Sequence, residues 1–216
     1  MTEHNFEAMR RAMVASQLRT TGVNDPRVLA AVSAVPRERF VPPSRMSLAY
    51  ADAMVPLGNG RELNSPMSLG RLLTEARPQE RDRALLIGAA TGYAAAVLAR
   101  LVGSLVAVEE DPELTAAARR ALAGTEVQLV EGPLTEGYGA GAPYDLILID
   151  GAVEFVPDPL IAQLAEDGRL AAAILEAGVA RISIGRRGGD GFGMAAVADV
   201  ASAILPGFAK PRMFSF

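Results

Sequence analysis

The chain has 216 residues, half of them hydrophobic, with no cysteine and a single histidine, His4. These absences argue against thiolate nucleophiles, thiolate-ligated metals, serine–histidine–aspartate catalysis and histidine-ligated metal sites. A formal net charge of −4 argues against a nucleic-acid partner. The apolar runs are too short to span a bilayer, which argues against a membrane anchor. The N-terminal residues contain no apolar signal region, so a cytoplasmic location is predicted.

Two helices are predicted before the first strand of the main sheet. Apolar residues at helical spacing over 6–18 predict an amphipathic helix that ends near Gly22. Asn24-Asp25-Pro26 is typical of a helix start, and Pro36 ends the second apolar stripe. We expect both helices to form a cap over a ligand crevice.

A loop with little periodicity covers residues 37–61, and an ordered loop of this length is usually functional. Ser65-Pro66 then begins a helix that runs to about Ala76. Residues 58–66 therefore lead into a helix N-terminus, where free backbone N–H groups favour carboxylates.

The centre of the chain predicts a nucleoside-binding βαβ unit. Residues 84–87 are a buried strand, 88–92 a turn of small residues, 93–101 a helix and 105–108 a second strand that ends at Glu109. The turn lets backbone approach a ligand, and the carboxylate can accept hydrogen bonds from ribose hydroxyls. The glycines do not form G-x-G-x-x-G, so a plain α/β crossover remains an alternative.

The remaining elements alternate between strand and helix, which predicts an α/β fold. Asp111 begins a helix to about Leu122, and a helix is expected over 158–168. A helix or strand is expected over 195–205. Strands are predicted at 127–130, 144–150, 170–174 and 180–184, with a hairpin turn at 186–192.

Several segments resemble the protein-L-isoaspartate O-methyltransferase family, from about Met13 to Leu170. They include V-P-R-x-x-F-V-P at 35–42, the G-x-G loop before Ser65-Pro66, LLIGAATGY, VAVEEDPEL and APYDLILIDGA. The resemblance implies a Rossmann-like doubly wound methyltransferase sheet, mostly parallel with a C-terminal antiparallel hairpin, plus an N-terminal helical cap. It implies a single domain over 1–216, with the cap and substrate loop at 1–78 and the core at 79–216.

The resemblance also implies S-adenosylmethionine as cofactor, no metal, and isoaspartyl peptides or proteins as substrate. Asn64 and Ser65 would orient the substrate carboxylate. The residues implied for cofactor binding are Gly88, Ala89, Ala90, Thr91, Gly92, Tyr93, Glu109, Glu110, Glu131 and Gly132. Those implied for the substrate are Gly60, Arg61, Glu62, Leu63 and Asp150.

The chain departs from the family pattern at chemical positions. Asn64 stands where the family has serine, Leu86 where it has an acid, and Ala90 where it has glycine. If position 90 needs a positive φ, alanine costs on the order of 1–2 kcal/mol. The family has an acid after the third strand, and in this chain that acid is shifted by one position, to Glu131. Asp150 stands where the family usually has threonine, and it could be either a strand-end turn carboxylate or a metal ligand.

Three hypotheses follow from these departures. The first is a working carboxyl methyltransferase for isoaspartyl residues, with reduced activity allowed. The second is a catalytically inactive binding module that keeps the fold. The third is a methyltransferase retargeted to another acceptor, with Glu62 and Asp150 reshaping the pocket.

Overall fold

The computed structural model describes residues 5–189 and 191–210. The main sheet has seven strands, and a separate two-stranded hairpin precedes it. The hairpin strands are β1 (Val55–Gly58) and β2 (Arg61–Leu63). The main-sheet strands are β3 (Arg83–Ile87), β4 (Ser104–Glu109), β5 (Gln128–Glu131), β6 (Tyr144–Val153), β7 (Leu164–Glu176), β8 (Val179–Gly188) and β9 (Gly191–Asp199).

The main sheet has the order β5-β4-β3-β6-β7-β8-β9. Strands β3 to β7 pair in parallel, and β8 and β9 continue as antiparallel neighbours. The order of the strands therefore reverses at β3, between its neighbours β4 and β6, which opens a crevice at the carboxyl ends of these strands. The prediction of a Rossmann-like, mostly parallel sheet with a C-terminal antiparallel hairpin is confirmed.

Helices cover both faces of the main sheet. They are α1 (Phe6–Met13), α2 (Pro26–Ala34), α3 (Pro66–Ala76), α4 (Tyr93–Leu98), α5 (Pro112–Ala121) and α6 (Asp158–Ala162). Asp25, Ser65 and Asp111 accept backbone N–H hydrogen bonds at three of the helix starts, as expected from the sequence. Within the described residues, no helix is long and apolar enough to cross a membrane.

The core lies on both faces of the sheet. Apolar side chains alternate along β3, so that Leu86 packs toward the N-terminal helices and α4, and Leu85 and Ile87 toward the other face. The lone histidine, His4, and residues 211–216 of the tail lie outside the described residues.

The helix predicted over 158–168 is wrong in its second half. α6 ends at Ala162, and β7 begins at Leu164, where the chain pairs with Tyr144 of β6. The side chain of Gln163 holds this junction, since its amide donates to the carbonyls of Glu136 and Pro159 and accepts from the Tyr138 N–H. Sheet pairing at this point outweighs local helix propensity.

Two other predicted boundaries shift. α4 ends at Leu98, earlier than expected, and the fourth predicted strand extends to Val153 as β6. Of the segment 195–205, the first part belongs to strand β9, and residues 200–208 form a separate segment, named here the C-terminal strap.

Candidate functional site

The turn after β3 forms the floor of the crevice. Gly88, Ala90 and Gly92 adopt positive φ angles of 81°, 49° and 99°, and every residue from 88 to 93 is buried. The Gly88 and Ala89 N–H groups both donate to the Val108 carbonyl at 3.0 Å, which fixes the turn against β4. Alanine therefore occupies a left-handed position at residue 90, at a cost on the order of 1–2 kcal/mol.

Glu109, at the carboxyl end of β4, is fully buried and ion-paired. Its Oε1 lies 2.6 Å from Arg61 Nη1, and its Oε2 lies 2.9 Å from Arg61 Nη2. The backbone N–H groups of Ala90, Glu110 and Asp111 donate to the same carboxylate at 2.6, 3.0 and 3.1 Å. Because a carboxylate offers about four lone-pair sites, five donors leave none free for a ribose.

The hairpin β1–β2 places Arg61 in this position. The two strands pair with each other, with Val55 opposite Leu63. Asn59 at the hairpin turn donates to Asp111 Oδ2 at 3.0 Å, and this hydrogen bond holds the pKa of the Asp111 carboxyl below its ordinary value. Arg61, predicted from the resemblance as a substrate residue, lies on the ribose-side carboxylate in this conformation.

Asn64 joins three parts of the site. Its Nδ2 donates to Asp150 Oδ1 at 2.8 Å, and its Oδ1 accepts from the Ala203 N–H at 2.8 Å and the Ser202 hydroxyl at 3.2 Å. Both ends of the amide are engaged, so Asn64 acts here as a bridge between β6 and the C-terminal strap. Its assignment as a catalytic residue stays a prediction.

Ser65 is the N-cap of α3. Its hydroxyl accepts from the Ser68 N–H at 3.2 Å and lies 2.9 Å from the Ser68 hydroxyl, which in turn donates to the Ala201 carbonyl. This geometry stabilises the helix N-terminus. Ser65 thus faces its own helix and the strap, and a role toward a substrate carboxylate also stays a prediction.

A buried arginine that was not among the residues predicted from the sequence lies beneath the same loop. Arg37 donates to the carbonyls of Ala49 and Asn64 at 2.8 and 2.7 Å, and its guanidinium lies 4.6 Å from the centre of the Tyr93 ring. Its Nη1 and the Tyr93 hydroxyl have no hydrogen-bond partner among the described residues. The family-specific phrase V-P-R-x-x-F-V-P contains Arg37 and is the signal that could have identified it.

The C-terminal strap lies against the turn after β3 and the end of β6. Leu205 lies against two glycines: a Cβ built on Gly88 would be 3.0 Å from Leu205 Cδ2, and one built on Gly151 would be 2.3 Å from Leu205 Cγ. Backbone hydrogen bonds between Ala152 and both Ala203 and Leu205 hold the strap in place. Nothing in the composition of residues 200–208 predicted this position.

Three other predicted residues, Glu62, Glu131 and Gly132, are less buried than the turn, whereas Leu63 lies in the core. Glu131 pairs with Glu109 across β4 and β5 and is exposed, whereas the Gly132 N–H donates to the Glu109 carbonyl at 3.0 Å. Glu62 is half-buried in β2. Across the described ranges, no three acidic or histidine side chains are grouped so that they could hold a metal ion.

A nucleoside cofactor fits this frame by residue type, because small residues form the turn and a carboxylate ends β4. The fit requires two movements within the chain. Arg61 must leave Glu109, and Leu205 must leave Gly88. Once they move, the turn and Glu109 present backbone and carboxylate to the nucleoside.

Asp150 yields a prediction about pH dependence. Burial raises the pKa of its carboxyl, although the hydrogen bond from Asn64 and the charges of Arg37 and Arg61 oppose the shift. The folded protein therefore holds this proton more tightly than the unfolded chain, and the ionised carboxylate lowers stability above the folded pKa. We expect Asp150→Asn to unfold at a higher urea concentration than the wild type at pH 7, with the difference shrinking as the pH falls to about 4.

Asp52→Asn is the matched control, since Asp52 is exposed and accepts no hydrogen bond from the described residues. Its urea midpoint should follow the wild type at both pH values. An Asp150→Asn variant that is less stable than the wild type at pH 7 would show that attraction to the arginines outweighs the burial of the charge.

Residues 9–201 match the family described as Protein-L-isoaspartate(D-aspartate) O-methyltransferase. The protein-L-isoaspartate O-methyltransferase of Methanoregula boonei is 44% identical over 164 residues, which are 74% of this chain and 76% of the relative. Protein-L-isoaspartate O-methyltransferase 1 of Rhodopseudomonas palustris is 40% identical over 77% of this chain and 69% of its own length.

Solved structures agree with these matches. A protein-L-isoaspartate O-methyltransferase superposes with a TM-score of 0.80 at 25% identity and covers 92% of this chain, which spans 66% of that chain's length. A Plasmodium falciparum structure described as that methyltransferase in complex with S-adenosyl-L-homocysteine has a TM-score of 0.78 at 16% identity, covering 91% of this chain and 97% of its own. The second likeness supports the fold.

Proposed function

The chain belongs to the protein-L-isoaspartate O-methyltransferase family, and we propose that it transfers a methyl group from S-adenosylmethionine to the carboxyl group of isoaspartyl residues in proteins. The match over residues 9–201 carries this proposal, together with a crevice whose turn and terminal carboxylate suit a nucleoside. The family uses this cofactor, which supplies an already activated methyl group when bound. The protein's contribution is then to hold the acceptor carboxylate in line with that methyl.

Residues of two elements support the acceptor side of the proposal. Residues 60–64 lead directly into α3, whose N-terminus carries backbone N–H groups and positive dipole. Arg37 is fully buried beneath this loop and donates to the Asn64 carbonyl, which fixes the backbone of the loop. A carboxylate held at this helix N-terminus would not need a histidine or cysteine for activation.

A second candidate function is a binding module that has lost methyl transfer. The observation that favours it is the engagement of Glu109 by five donors within the chain. In that case Arg61 stays paired with Glu109, and the crevice does not bind a nucleoside.

Calorimetric titration and a methylation assay separate the two functions. We expect saturable binding of S-adenosylmethionine and S-adenosylhomocysteine, and transfer of labelled methyl to an isoaspartyl peptide but not to the same peptide with normal aspartate. Absence of binding at millimolar ligand would reject the methyltransferase function and support the binding module. Binding without methylation of the isoaspartyl peptide would point to a different acceptor.

A further inference from the structure

We infer that Arg61 is an internal competitor of the cofactor: its guanidinium holds the Glu109 carboxylate that ribose hydroxyls would bind, and the turn of the hairpin β1–β2 must withdraw it before these hydroxyls can bind. The inference rests on the proposed function, since it concerns the cofactor site of the same reaction. It assigns to Arg61 control of cofactor affinity.

The contact between Arg61 and Glu109 is a bidentate ion pair. Its two parallel N–H···O hydrogen bonds measure 2.6 and 2.9 Å, the strongest geometry available to a carboxylate. The Arg61 side chain is 6% exposed and that of Glu109 is fully buried, so water screens the pair little. Two neutral ribose hydroxyls would bind the same oxygens, so these hydroxyls and Arg61 exclude each other.

The turn of the hairpin that carries Arg61 can move without breaking a strand pairing of the main sheet. It is a sheet of its own, and neither of its strands pairs with the main sheet in the described part of the chain. Its turn is exposed, and Gly58, Asn59 and Gly60 have φ angles of 107°, 50° and 72°. Besides the ion pair, the turn is fastened by the hydrogen bond from Asn59 to Asp111. A movement of this turn and of the Arg61 side chain therefore takes the guanidinium off Glu109, while Val55 and Leu63 keep the two strands in the core.

The ion pair has a direct consequence for cofactor affinity. A ligand that binds only the open form has its affinity reduced by the fraction of molecules that are open. Weakening the closed form must therefore strengthen nucleoside binding. This effect is specific to ligands that carry the ribose hydroxyls, because these groups are the ones that compete for Glu109.

The experiment compares the wild type with Arg61→Gln, which shortens the side chain and removes its charge. Titrations use S-adenosylhomocysteine, adenosine and 2′,3′-dideoxyadenosine as probes. We expect about a tenfold or greater gain in affinity for the first two, and an unchanged affinity for the dideoxy compound. Arg169→Gln is the matched control, because it removes another buried ion pair, with Asp82, away from the crevice. It should bind every probe as the wild type does.

A second variant, Asn59→Gly, tests the inference even if Arg61→Gln folds poorly. Glycine accepts the positive φ, and the change removes only the exposed hydrogen bond to Asp111. We expect about a two- to fivefold gain for adenosine. If both variants bind adenosine only as tightly as the wild type, the inference is overturned and the proposed function stands. If neither the wild type nor the variants bind S-adenosylhomocysteine or adenosine, the proposed use of S-adenosylmethionine is rejected, and the inference about Arg61 is rejected with it.

Discussion

Replacing Glu109 with alanine is expected to lower the free energy of unfolding by about 3–5 kcal/mol. The change leaves the Arg61 guanidinium buried without its counter-ion. It also leaves the N–H groups of Ala90, in the turn after β3, and of Glu110 and Asp111, after β4, without their acceptor. Urea denaturation followed by circular dichroism measures the difference.

Glu110→Ala is the control for this prediction. Glu110 is the next residue and is half-buried, and its carboxylate accepts no hydrogen bond within the described part of the chain. A change within about 0.5 kcal/mol is expected for it. The double variant Arg61→Met/Glu109→Gln should be more stable than Glu109→Ala, since it leaves no uncompensated charge. Equal losses for the two single alanine variants would contradict the central role given to Glu109.

The sheet and its crevice could be predicted because their signals are local. The apolar run at 84–87, the small residues at 88–92 and the capping residues Asp25, Ser65 and Asp111 each act within one turn or strand. The position of Glu109 at the crevice follows from the same order of elements. These features depend on residues that are near one another in the sequence.

The parts that could not be predicted depend on contacts between distant segments. Arg61 and Glu109 are 48 positions apart, and nothing in either neighbourhood indicates that they pair. Leu205 reaches Gly88 only because the strap returns over the crevice after β9. The short α6 is a further case, since pairing of Leu164 with Tyr144 overrides the helical pattern. The sequence pattern therefore predicts where the site lies, whereas the contacts that fill it, from Arg61 and Leu205, depend on tertiary structure.

Asn64→Ala tests whether the strap is held by the loop that leads into α3. We expect a loss of about 2–4 kcal/mol in the free energy of unfolding, because the change leaves Asp150 Oδ1 and the Ala203 N–H unpaired in buried positions. The Ala203 amide should also exchange its hydrogen faster, since local opening of the strap no longer breaks a bond to Asn64. Denaturation and hydrogen exchange provide the two measurements.

Asn24→Ala is the matched control, because Asn24 is exposed and precedes α2 without a side-chain hydrogen bond to the described residues. If Asn64→Ala lowers stability while Ala203 exchange stays at the wild-type rate, the bond to Asp150 carries the effect, and the strap is held by its other contacts, such as those to Ala152 and Ser68. If both quantities change together, Asn64 couples the loop before α3, β6 and the strap. The crevice then opens only when Arg61 leaves Glu109 and the hydrogen bonds of Asn64 to Asp150 and Ala203 break. Both changes involve the segment 61–64, which would therefore control access to the crevice.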